Sequence, residues 1–240
     1  MSSLDYVVRT LPLRSMPSFI IQYIYSRFLR DYLPSSTISF NGVQAEGCIF
    51  DPYIPGKSPA NYEHGLVAEL QSLVKSGDKV IIVGGGIGVS TVVAARQVGQ
   101  DGSVHVFEGN REQLNTCQRT VALNNVAGQV TFNHAVVGED VNVYSGHGDA
   151  ETIPATDLPN ADVLVLDCEG AEQKILDQLR NGPLPSRLIV ESHGRYGSPA
   201  DSVEQKLKSL EYRVGEKRLA EVTFPELAAA NDLFILTGVR

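Results

Sequence analysis

The 240-residue chain has no tryptophan, two methionines, three cysteines and few lysines, 7 against 13 arginines. Each shortage narrows the field. The cysteines (Cys48, Cys117, Cys168) are odd in number and lack C-x-x-C spacing, which argues against a disulfide framework and a thiolate zinc site and predicts reduced thiols. No stretch of eighteen consecutive apolar residues occurs, so no membrane-spanning helix is predicted. Near the start, Arg9 and Arg14 precede an interrupted apolar run with no small-residue cleavage site, so no signal peptide is expected. Positive charge is in deficit, with a net charge of −8, and an acidic surface repels phosphate backbones. Nucleic acid is therefore not an expected partner. A hydrophobic share of 42% and a charged share of 20% fit a soluble globular protein, and the length suits one α/β enzyme domain. Together these features predict a cytoplasmic protein.

What is present centres on Val80-Ile81-Ile82-Val83-Gly84-Gly85-Gly86-Ile87-Gly88-Val89-Ser90-Thr91. Branched apolar residues in succession suit a parallel strand covered on both faces. Glycines at 84, 86 and 88 let the following backbone turn sharply and approach a ligand, and a helix N-terminus with unpaired N–H groups comes next. The spacing is G-x-G-x-G rather than the dinucleotide fingerprint G-x-G-x-x-G. Glu108 ends the next expected strand, where a carboxylate can accept hydrogen bonds from both ribose hydroxyls of an adenosine. That arrangement fits NAD and S-adenosylmethionine (SAM) equally. Two further buried strands end in polar groups, Val163 to Asp167, followed by Cys168-Glu169-Gly170-Ala171-Glu172, and Arg187 to Glu191, followed by Ser192-His193.

With these segments in order, the chain resembles the FkbM-type family of class I SAM-dependent methyltransferases. The matching pieces are the glycine turn, Glu108-Gly109-Asn110, the D-x-E-G-x-E run Asp167 to Glu172, and the strand ending in Glu191-Ser192-His193. Asn124-Asn125 and Ala135-Val136-Val137-Gly138 also sit where the family has similar segments, and the resemblance covers roughly residues 63 to 240. It implies a doubly wound, mostly parallel seven-stranded sheet finished by an antiparallel edge strand. SAM is the cofactor it implies. Gly84, Gly86, Gly88, Glu108, Gly109, Asn110 and Asp167 are the expected cofactor residues, Asp167 through the methionine amino group. Two positions depart from the family pattern. Ile82 stands where an acid is usual in the first strand, and Val165 where a lysine is common two residues before the D-x-E-G-x-E run.

The predicted organisation is an extension over residues 1–62 and a methyltransferase domain over 63–240. Within the extension, 17–33 has helical apolar spacing (Ile20, Ile24 and Phe28 on one row; Ile21, Tyr25 and Leu29 on the next). Residues 1–33 carry four arginines against two aspartates, which suits an anionic membrane surface through residues 9–33, or else a helix packed on the domain or a second subunit. Asn41-Gly42 between Ile38 and Ala45 predicts a hairpin with a type I′ turn. Helices are expected near 66–74, 88–99, 111–124, 170–180 and 199–210, with two closing strands over 212–219 and 233–238 and no helix between them.

Methyl transfer to an alcohol needs in-line alignment and removal of a proton. His193, Glu191 and Glu169 are the catalytic candidates, His193 favoured by its ordinary pKa. Its alternative is a structural hydrogen bond. Glu169 and Glu172 also read as first-turn acids that favour the helix dipole. A divalent metal on Asp167, Glu169 and Glu172 is weighed and not expected. A carboxylate acceptor would want a cation, for which Arg195, Lys217 and Arg218 are candidates. The expected activity is SAM-dependent O-methylation of a sugar or glycan-type acceptor. That acceptor could be a hexuronic acid of a lipid-linked surface glycan, as in protein glycosylation, reached at the inner membrane surface. The alternatives are an NAD-dependent oxidoreductase and a non-catalytic SAM- or nucleotide-binding regulatory module.

Overall fold

The computed structural model describes residues 35–48, 61–138, 149–222 and 225–240. The helix expected over 17–33 lies outside them. The chain first forms a hairpin, β1 (Ser35–Phe40) and β2 (Val43–Cys48). Asn41 and Gly42 take φ angles of 50° and 76° at its tip, as a type I′ turn requires. Then α1 (His64–Leu73), β3 (Lys79–Val83), α2 (Val89–Val98), β4 (Ser103–Phe107), α3 (Arg111–Leu123) and β5 (Val130–Asn133) alternate. Two short strands, β6 (Ala135–Val137) and β7 (Glu151–Ile153), pair in parallel as a small separate sheet. β8 (Val163–Leu166), α4 (Glu172–Gln178), β9 (Arg187–Glu191) and α5 (Ala200–Ser209) resume the alternation. β10 (Arg213–Val214), β11 (Arg218–Leu219), α6 (Pro225–Ala230) and β12 (Phe234–Val239) complete it.

The main sheet runs β10-β12-β9-β8-β3-β4-β5, with β11 also on β12. β5, β4, β3, β8 and β9 are parallel, and β12 is antiparallel to β9. Seven positions across the sheet are as expected. The edge position beside β12 is shared by β10 and β11, which raises the strand count to eight. Alternate residues of β3 serve opposite faces. Val80 and Ile82 join the core formed with α1, α2, α3 and the hairpin residues Phe40, Val43 and Ala45. Ile81 and Val83 join the core that holds Ile175 and Leu176 of α4 and Val203 and Leu207 of α5. Burial on both faces explains the unbroken apolar run, and each such side chain contributes about 1.5–3 kcal/mol.

Three elements depart from expectation. α6 occupies the interval read as non-helical, because Pro225 pre-sets its first turn and Ala228, Ala229 and Ala230 are strong helix formers in a stretch too short for periodicity. β6 and β7 have three residues each, too few to show an alternation.

Ile82 and Val165, the two positions that differ from the FkbM-type pattern, are register partners on β3 and β8 and are fully buried.

Candidate functional site

β3 ends beside β8, and this closeness dictates the glycine turn. Gly84 has φ +96°, and a Cβ on it would stand 1.8 Å from the Asp167 carbonyl oxygen, so no other residue fits. Gly86, at φ +48°, has open space where a Cβ would project. Gly88 caps α2, and its Cβ would meet Cys117 of α3 at 3.1 Å.

Glu108, just past β4, closes the turn. Its Oε2 accepts the Gly85 N–H at 2.9 Å and the Gly86 N–H at 3.3 Å, while Oε1 accepts the Asn110 N–H at 2.8 Å. Three backbone donors on one carboxylate leave one of its roughly four acceptor directions for a ligand hydroxyl. Asn110, expected to hold cofactor, lines the cavity and also accepts the Glu112 and Gln113 N–H groups on its Oδ1 as the N-cap of α3.

A cavity of about 270 Å³ opens at the carboxyl ends of the strands. It brings together Gly84, Gly86, Glu108, Gly109, Asn110, Asp167, Glu169 and His193 of the expected residues. Gly88 lies away from it, against Cys117, and Glu191 adjoins it, 3.9 Å from His193 with 13% of its side chain exposed. Tyr62 and Glu63 also line it, although the sequence reading placed Tyr62 in the extension. No local pattern marks them. They reach the cavity because Asn41 Nδ2 donates to the Tyr62 carbonyl and Gly65 N–H to the Ala220 carbonyl at 3.1 Å, which fix the start of α1.

The D-x-E-G-x-E run folds as a loop closed by its last acid. Glu169 and Gly170 have φ of 51° and 107°, and the fully buried Glu172 turns back to accept the Cys168 and Gly170 N–H groups. Glu172 also bonds His193 Nδ1 at 2.8 Å. It is therefore the buried partner of the histidine, more than a first-turn acid. Glu169 stays exposed on the loop. His193 is 7% exposed, and its Nε2 sits 3.6 Å from Asp167 Oδ1 and 3.9 Å from Glu191 Oε1.

These neighbours overturn the ordinary pKa on which His193 was favoured as a base. Burial alone would lower it, but the hydrogen bond to Glu172 and the charges of Asp167, Glu172 and Glu191 raise it to about 9. At neutral pH His193 is an imidazolium. Glu172 resists burial through the His193 bond and charge and is held below its usual value. Asp167 is raised, by burial first and against the pull of His193. Glu191 is pushed well up by burial and by the Asp167 charge.

The three cations suggested for a carboxylate acceptor are engaged elsewhere. Lys217 pairs with Asp201 at 2.6 Å, Arg218 with Glu69 at 3.1 Å, and Arg195 lies over the Tyr196 ring. Among the described residues no lysine or arginine lines the cavity. Among them too, the metal-ligating atoms that converge belong to Asp167, Glu191 and His193, not to Asp167, Glu169 and Glu172.

A doubly wound parallel sheet with an antiparallel edge, a glycine turn after its first core strand and acids at the next strand ends define a class I SAM-dependent methyltransferase fold. The family model for protein-L-isoaspartate(D-aspartate) O-methyltransferase (PCMT) matches residues 56–206, and the chain belongs to that family. The match decides, in favour of SAM, between the two cofactors that the glycine turn left open. Among solved structures the chain is similar to a SAM-dependent O-methyltransferase from Thermotoga maritima, at 17% identity and a TM-score of 0.52, over 86% of this chain and 78% of that one. It is also similar to TYW2 of M. jannaschii in complex with AdoMet, at 14% identity and a TM-score of 0.53, over 86% and 85% of the two chains. At these identities the likeness is one of fold. No curated protein matches the sequence.

The residues present fit SAM. Gly86 leaves a cradle that a Cβ would fill, Glu108 faces it with a free acceptor direction, and acids at the far end suit a cationic ligand. No described helix is long and apolar enough to cross a membrane.

Proposed function

We propose that this chain is an O-methyltransferase whose acceptor is a neutral hydroxyl on a small or glycan-type molecule. The observation that carries the reading is the acidity of the acceptor end. Glu63, Asp167 and Glu169 line it and Glu191 adjoins it; the His193 imidazolium there is already paired with the buried Glu172, and among the described residues no lysine or arginine joins them. A carboxylate placed about 4 Å from one of these acids would be opposed by about 4 kcal/mol at an effective dielectric of about 20. A neutral hydroxyl meets no such penalty.

In this reading Gly86 and Glu108 hold the adenosine end and Asp167 the amino group. SAM supplies an electrophilic methyl and its own leaving group. Glu191, whose carboxyl burial makes more basic than usual, takes the acceptor proton, because His193 already carries one. Held by Glu172, His193 keeps Asp167 and Glu191 in place.

The FkbM-type motif residues favour a sugar, and a hexuronic acid would be methylated on a hydroxyl rather than on its carboxylate. Delivery on a lipid carrier rests on the basic segment 9–33, which lies outside the described residues. A peripheral membrane contact is thus a proposal from sequence alone. The chemistry for which the family is named favours a second reading, carboxyl methylation of a protein. Labelled SAM offered with simple glycosides, hexuronides and an isoaspartyl peptide separates the two. Methyl ethers survive alkali, whereas methyl esters release methanol. Alkali-stable label on a glycoside or hexuronide supports the proposal, and alkali-labile label confined to the peptide overturns it.

A further inference from the structure

We propose that Asp167, Glu191 and His193 form a divalent-cation site at the acceptor end of the cavity, with Glu172 fixing the histidine. One oxygen from each acid and one nitrogen of His193 lie within 4.8 Å of one another. The separations of His193 Nε2 from Asp167 Oδ1 and Glu191 Oε1, 3.6 and 3.9 Å, are too long for hydrogen bonds. They suit ligands sharing one ion. Bonds of about 2.1–2.3 Å at tetrahedral angles put ligand atoms about 3.4–3.8 Å apart, close to the separations seen here.

A second observation comes from the ring itself. The His193 side chain is 8% exposed, and its Nε2, facing both acids, makes no hydrogen bond among the described residues. Its Nδ1 is 2.8 Å from Glu172, which is fully buried and anchored by the Cys168 and Gly170 N–H groups. A metal-binding histidine commonly donates its other ring N–H to a carboxylate, which sets the tautomer and the ring direction. Glu172 supplies that arrangement, with the ion taking the place of the Nε2 proton that the ring carries in its absence. Two carboxylates and one imidazole suit ions of the Mn²⁺ or Zn²⁺ type and leave positions for an acceptor oxygen. Glu191 bound through one oxygen keeps the other for the acceptor proton. Only this role of the ion rests on the reading above; its binding does not.

The test is Mn²⁺ binding to the full chain without SAM, followed by loss of the free-ion electron paramagnetic resonance signal. One ion per chain is expected. D167N, E191Q and H193A should each weaken binding by at least about tenfold, and E172Q by about 10–100-fold. Weakened binding in variants that are folded at the assay temperature supports the site. Absence of Mn²⁺ binding by the wild type at about millimolar concentration overturns it, whatever the variants do, as does unchanged binding in the ligand variants. SAM titration of the same samples keeps the two readings apart, since a chain that binds SAM but no Mn²⁺ loses only the cation site.

Discussion

Replacing Glu108 by alanine removes a group that serves both the fold and the cofactor, and the structure separates the two losses. The Gly85 and Asn110 bonds, at 2.9 and 2.8 Å, are short and buried, and the Gly86 bond, at 3.3 Å, is weaker and half-buried. Hydrogen bonds to a charged acceptor are worth about 1.5–3 kcal/mol each. The alanine leaves the two buried N–H groups without an acceptor, while Gly86 can turn to water in the cavity. The expected loss is about 3–5 kcal/mol of stability, which for a chain of this size lowers Tm by about 10–15 °C. Glu108→Gln retains one oxygen for Gly85 and Gly86 but sets an amide N–H₂ against Asn110, so about half the loss should remain.

Scanning fluorimetry without SAM reads the structural part. Calorimetric titration with SAM, well below the melting temperature, reads affinity of the folded variant, expected to weaken by about 1.5–3 kcal/mol. An alanine variant that melts within about 2 °C of wild type refutes the strut. One that melts early but binds SAM unchanged leaves Glu108 a strut and refutes its contact with the cofactor.

The other variants probe neighbouring parts. Gly84→Ala should lose several kcal/mol by thermal melting, because its Cβ would overlap the Asp167 carbonyl. Gly86→Asn, which tolerates positive φ, should melt within about 1 kcal/mol of wild type yet lose SAM affinity by calorimetry. Arg187 forms a two-pronged pair with Asp78 at 2.9 and 3.0 Å, so Arg187→Met should cost about 3–5 kcal/mol in denaturant unfolding by stranding the acid. For His193, the folded pKa of about 9 exceeds the ordinary 6.5, so its stabilising contribution is complete below pH 6.5 and is lost as pH rises through 9. In chelator-treated protein, the stability gap between wild type and His193→Gln, on the order of 3 kcal/mol near pH 6, should close toward pH 10, and a constant gap would contradict the charged ring.

The central strands and the glycine turn were legible because burial on both faces leaves an uninterrupted apolar signature, as at Val80 to Val83. Asp167 and Glu108 were legible as well, since residues after parallel strands face the ligand side. Glu172 was not. As the first residue of α4 it reads as a dipole acid, and its role depends on His193, 21 positions away, just past the end of β9. Tyr62 and Glu63 were hidden for the same reason, since their placement depends on Asn41 and Ala220. The cations Arg195, Lys217 and Arg218 have the right charge, but tertiary contacts turn each of them elsewhere.

The two departures from the FkbM-type pattern resolve into one. Ile82 and Val165 face each other across β3 and β8, fully buried on the side of the sheet that carries the hairpin, α1, α2 and α3, and neither lines the cavity. An acid and a lysine there would oppose one another as an ion pair inside the core. Exchanging such a pair for well-packed apolar residues is often neutral or stabilising by about 1–4 kcal/mol, whereas one lone buried charge costs about 3–5 kcal/mol. In this chain both positions are packing positions of the core. Ile82→Asp and Val165→Lys should each destabilise severely when made alone. Made together, they should cost clearly less than the two single losses combined, by at least about 1 kcal/mol of coupling in denaturant unfolding. Strict additivity would show that the two positions do not act as a pair, and SAM affinity reduced in a double variant that still folds would place them within reach of the site after all.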